Sequence, residues 1–364
     1  MVKRILNCLV FPLIVATILA LPWNGRLAAQ PPSKNRAYAQ QFQLSEAFLA
    51  SFEAGDLKRQ QVVLQRMKQL VAETPEGPYV YSPKEIDAAL RDLDKALSTS
   101  PENLELATRF QFHANQADEQ NNLGNPAGAL RHYALATQAA HAVYGRQSFY
   151  SILLNISYAR NEATPEADMA SAIARLKASL IDIEAMGLTD SHQHCHAVSC
   201  LCRIYAMQED LKEATKYGHQ AIEIHQRRKT NFGSQYAEIV SIQALLLNRM
   251  EEYKESLKTT RAALSTELPS VGVEARFTMR IFREYAAAKV KLNDPENVSV
   301  AYDQAYALAN AIPGCPDDTK LTLLTEHLEF LKSHAEEARA RNIESQIAKL
   351  RGFTATRSRY SDPQ

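Results

Sequence analysis

Small and apolar residues recur along this chain at helical spacing within short segments, and the segments themselves recur about every 42 residues. Small residues stand at Ala117, Ala159, Cys202, Ala244 and Ala286, spaced by 42, 43, 42 and 42. A second series runs Ala129, Ala172, Ala214, Ser256 and Val298, and a third Ala136, Ser179, Ala221, Ala263 and Ala305. A fixed period of this length marks an array of units that each borrow part of their core from their neighbours. Tyr133, Leu176, Leu201, Tyr205, Leu247 and Tyr302 flank the small positions. The pattern predicts helix axes meeting about 8 Å apart at a small residue, with the larger side chains filling the grooves beside it. No alternating run bounded by turn signals marks a strand.

The punctuation follows the same period. Gly145, Gly187, Gly272 and Gly314 fall where a helix end needs a residue tolerant of positive φ. Asn125-Pro126, Thr164-Pro165 and Asp294-Pro295 pair a capping side chain with a proline suited to the first helical position, and Asp210 takes the matching place. Each unit therefore predicts two antiparallel helices, and the fold class is all-α. A further helix pair turning at Gly55-Asp56 is expected over residues 43–73, with a loop at 74–82.

Leu123-Gly124-Asn125-Pro126-Ala127-Gly128-Ala129 with Tyr133 and Ala136, and Ala89, Leu93, Ala96 and Pro101 ahead of it, resemble the turn and second helix of a tetratricopeptide repeat. The resemblance spans roughly residues 83–310. The family's usual period is about 34 residues, so the longer period here is similar to the long-helix, kinesin-light-chain-like variety. No unit carries the family's tryptophan, and Gly218 and Thr260 stand where a bulky residue is usual. The resemblance implies a right-handed α-solenoid whose first helices line a concave groove. Carried onto this chain, it places Arg160, His196, Arg203, Glu238, Arg249, Arg280, Arg283 and Lys291 on that face. Among them Arg203, Arg249, Arg280, Arg283 and Lys291 form the expected ligand row, suited to an acidic protein or peptide segment. The Lys and Asn arrangement with which some members clamp a C-terminal carboxylate is missing.

The expected organisation is a signal peptide at 1–29, a disordered linker at 30–41 and a degenerate repeat at 42–102. Five repeats at 103–316, a capping helix pair at 317–351 and a disordered tail at 352–364 follow. The signal reading rests on Lys3 and Arg4, the apolar run from Leu9 to Trp23 and the small-residue site Leu27-Ala28-Ala29. It predicts an exported protein, periplasmic or secreted, that meets a membrane only if this segment stays uncleaved as an anchor. Cys195, Cys200, Cys202 and Cys315 are not spaced to pair as disulfides, which weighs mildly against an oxidising compartment.

Charge narrows the partners. The 41 basic and 41 acidic residues balance, and without residues 1–29 the count is 38 against 41. That balance gives no reason to expect nucleic acid. The chain has no phosphate-binding glycine loop, HExxH, GxSxG or Cys-x-x-Cys motif. The expectation is a non-catalytic scaffold without a cofactor. The alternative is a metal- or thiol-handling protein centred on His192–Cys202, in which His192, Cys195, His196 and Cys200 would hold zinc or copper on one helix face.

Overall fold

The computed structural model describes residues 32–74, 81–98, 100–163, 169–229 and 233–360. Among them the fold is all-α, with no strand. The helices are α1 (Pro32–Glu53), α2 (Leu57–Glu73), α3 (Pro83–Ser98), α4 (Pro101–Asn122), α5 (Pro126–Tyr144), α6 (Phe149–Glu162), α7 (Met169–Ala185) and α8 (His192–Met207). They continue as α9 (Leu211–Arg227), α10 (Gly233–Arg249), α11 (Tyr253–Leu264), α12 (Ala275–Lys291), α13 (Val298–Ala311), α14 (Asp317–Ser333) and α15 (Glu337–Tyr360). No described helix is long and apolar enough to cross a membrane.

The chain divides into two compact units, Met1–Glu209 with Glu223–Lys229, and Asp210–Ile222 with Thr230–Gln364. Packing in each is sequential. In the first unit α4 packs on α5, α5 on α6, α6 on α7 and α7 on α8, while α6 also reaches α3 and α8. In the second, α10 packs on α11 and α12, and α12, α13, α14 and α15 follow in chain order. Connections of a few residues oblige neighbouring helices to run antiparallel.

The three series of small residues are buried at every position. One crossing is directly visible: the Ser256 hydroxyl of α11 donates to the Ala244 carbonyl of α10 at 3.3 Å, a distance open only to helices meeting at small side chains. In the first unit the core is aromatic as well. Phe110 meets Phe52, Tyr144 and Tyr150 edge-on at centroid distances of 5.6, 5.7 and 5.7 Å.

Among the described residues, the turn inside the hairpin repeats more faithfully than the sequence suggests. Gly124, Glu209, Glu251, Asn293 and Ala335 all have positive φ, at 71°, 63°, 63°, 53° and 56°. At Gly124, Glu251, Asn293 and Ala335 the following residue's N–H closes on a carbonyl five residues back, as in Asn125 to Gln120 (2.8 Å) and Glu336 to Leu331 (3.0 Å). These residues are spaced by 85, 42, 42 and 42. The α14–α15 pair, expected as a cap, thus carries the same turn in the same register as the repeats.

Several expectations are corrected. Residues 32–41, expected to be disordered, are helical. Pro32 suits a first helical position, and the alanines and glutamines after it extend a helix whose packed end lies at Ser45–Ser51. Helix α15 likewise runs on to Tyr360, through most of the expected tail. Asp294-Pro295 does not open a helix: α13 starts at Val298 behind Asn297, and Asp294 instead meets Lys289 Nζ at 3.0 Å. Asn125 caps as expected, accepting the Gly128 N–H at 3.0 Å, and Asp210 accepts that of Glu213 at 3.1 Å. The signal segment, Thr164-Pro165 and most of the 74–82 loop lie outside the described residues.

Candidate functional site

In the first unit the last turn of α5, the middle of α6 and the outer face of α7 enclose three sides of a groove of about 880 Å³. His141, Arg146, Gln147, Asn155, Ser171, Arg175 and Asp182 supply its polar walls, with the exposed small side chains Ala174 and Ala178 between them. The α5 end is fixed by Gly145, whose backbone takes φ 87°, and whose carbonyl accepts the hydroxyls of Ser148 (3.1 Å) and Ser151 (2.7 Å). Arg175 is held in place from two directions. Its guanidinium lies 4.0 Å over the Tyr158 ring, and its Nε is 3.4 Å from Glu162. Tyr158 stacks in turn on Tyr133, whose hydroxyl donates to Asp118 at 2.6 Å. Burial, with Arg146 beside it, pushes the His141 imidazole below its ordinary pKa. The groove thus presents one held donor, Arg175, beside an imidazole whose burial disfavours its charged form.

The residues of the expected ligand row fall in both units. Arg203 lies in the first unit, half-buried on α8. Arg249 and Lys291 are exposed in the last turns of α10 and α12, where a cation complements the helix dipole. Arg280 and Arg283 do share a face of α12, but among acids. Glu326 clasps Arg283 at 2.5, 2.9 and 3.2 Å, and these hydrogen bonds hold its guanidinium well above the ordinary range. Glu238 and Glu284 neighbour Arg280, whose own pKa burial lowers. Carboxylates folded into the same face leave little positive field there to draw in an acidic segment.

The residues of the His/Cys cluster all lie on α8. The rings of His192 and His196 lie 6.1 Å apart along α8, while Cys195, Cys200 and Cys202 are buried. Burial pushes the Cys195 thiol up to about 12. Burial, with Arg160 and Arg203 adjacent, pushes His196 down to about 3. Among the described residues no three His, Cys, Asp or Glu side chains are gathered for a metal ion.

What His192 does instead is structural. Its backbone N–H donates to Glu85 Oε1 at 2.6 Å, across 107 residues of chain. Glu85 Oε2 accepts the Ser82 N–H at 2.7 Å while Ser82 Oγ accepts that of Glu85 at 3.3 Å, a capping box at the start of α3. One buried carboxylate therefore caps both α3 and α8, with Arg228 Nη2 4.0 Å away. Burial raises its pKa in spite of these donors. Asp92, on the same helix, accepts the Tyr150 N–H at 3.2 Å and is pushed up to about 6 by burial.

Sequence reasoning passed over two features: the α5–α7 groove, whose walls come mostly from the second helices α5 and α7, and a histidine pair, His113 and His132, across the α4–α5 hairpin. The pair was accessible by counting outward from the turn at Gly124. No known family profile matches the chain, and no curated protein is detectably similar to it.

Proposed function

We propose that this chain is a non-catalytic, exported binding scaffold, a right-handed α-solenoid of tetratricopeptide-like hairpins, and that it recognises a protein segment in the α5–α7 groove. The observation that carries this reading is the groove itself. It is open, and one of its polar side chains, Arg175, is positioned by a supporting ladder that begins at Asp118. Open walls with a held donor suit an extended segment, since preorganised partners lose little entropy on binding. The strongly perturbed acids, histidines and thiol sit elsewhere, tied into helix caps and core, which favours binding over chemistry.

Peptides selected by display against the full chain test this. Ala174→Trp and Ala178→Trp fill the groove from an exposed wall, so they should weaken selected peptides about tenfold or more while the helical circular dichroism is unchanged. Selection of no peptide, or equal binding by both variants, removes the groove as the recognition surface.

A further inference from the structure

His113 on α4 and His132 on α5 face each other with Nδ1 atoms 3.1 Å apart and ring centroids 5.3 Å apart, tilted by 36°. Two imidazole nitrogens held this close across two helices are within the reach of one metal ion. With metal–nitrogen bonds of about 2.0–2.1 Å, two ligands stand roughly 2.9 Å apart at a right angle and roughly 3.4 Å apart at the tetrahedral angle. The observed separation lies between these limits. Both helices are long and tightly packed on each other, so the pair is held by the hairpin and not by a loop. Both side chains are partly exposed, which leaves a way in.

We infer that His113 and His132 form an open, two-histidine site for one divalent transition-metal ion of the imidazole-binding class, such as zinc. Without metal, one ring holds a proton at Nδ1 and gives it to the other ring's lone pair. Entry of the ion requires that ring to move its proton from Nδ1 to Nε2, a tautomer shift through solvent that releases no net proton. Both Nδ1 lone pairs then face the ion. No third His, Cys, Asp or Glu completes the set among the described residues, so water or a donor from a bound molecule fills the remaining positions. Arg109, one turn before His113, opposes a cation, but its charge is engaged by Glu105 at 2.7 Å. The site is independent of the α5–α7 groove and of the His192–Cys202 cluster.

Zinc chloride titrated into the full chain by calorimetry tests the inference. One equivalent should bind, and His113→Gln and His132→Gln, on separate helices, should each weaken it about tenfold or more. His334→Gln, in the second unit, should leave it unchanged. One equivalent of Cu2+ on the native chain should show two imidazole nitrogens by electron paramagnetic resonance, a readout that needs no variant. No saturable zinc binding, zinc binding that survives both substitutions, or copper coordinated by a single nitrogen each overturns the site.

Discussion

Asp92 shows how much one buried ionisable group can set. It is 8% exposed, and in the folded chain its carboxyl titrates at about 6 against an ordinary value of 3.8. A raised folded pKa means the native state holds its proton longer than the unfolded chain does. The associated stability is therefore complete below 3.8 and is lost as pH rises towards and through 6. The shift corresponds to a loss of up to about 3 kcal/mol at neutral pH. Asp92→Asn keeps an acceptor for the Tyr150 N–H and removes the ionisation. It should stabilise the protein in urea unfolding at pH 8, with a gain that shrinks by pH 5. An equal effect at both values would mean that Asp92 ionises without cost in the fold. Nothing in the sequence around Asp92 marks it, because its burial is made by α6, far along the chain.

At the scale of the helix pair, the turns carry the clearest test. Among the described residues the left-handed position is taken by glycine in two hairpins, at Gly55 and Gly124, and by Glu209, Glu251, Asn293 and Ala335 in four more. A Cβ in that conformation costs about 1 kcal/mol, more for alanine than for asparagine. Ala335→Gly and Glu251→Gly should each raise stability by about 0.5–1 kcal/mol, and Gly124→Ala should lower it by a similar amount. Melting temperatures of the three variants check this, and a loss on Ala335→Gly would contradict it. These turns also show what the sequence made legible. The small crossing residues were readable because only an alanine-sized side chain fits there and the requirement repeats. The turns in later units were hidden, because a glutamate or alanine can be forced left-handed by the hairpin and leaves no glycine to read. Asp294-Pro295 misled for the opposite reason: a pair with good capping chemistry was drawn away by Lys289, whose buried ammonium claims Asp294 and the Glu296 carbonyl at 2.6 Å. The groove was legible only in part. Arg146 and Arg175 gave no sign of sharing a site until the packing of α5 on α6 and α6 on α7 joined them.

Within each unit, packing runs mostly between helices adjacent in the chain, and stability in such an array is largely a sum over neighbours. Glu85 departs from that rule within the first unit. Removing its carboxylate takes a buried charge from beside Arg228 and one acceptor from the first turn of each of two helices, so Glu85→Ala should cost about 3 kcal/mol. Hydrogen exchange should show protection lost in the first turns of both α3 and α8. Loss confined to α3 would mean that the contact with His192 contributes nothing. The same contact bears on how the protein is made. Synthesis proceeds from the N-terminus at about 5–20 residues per second, so α3 leaves the ribosome several seconds before residue 192 exists. During that interval Glu85 has only its local Ser82 partner, and water serves its other oxygen. The first hairpins can form as they emerge, but the carboxylate is sealed from solvent only once α8 arrives. A chain halted between the two would keep its early helices while remaining open to proteases at the start of α3.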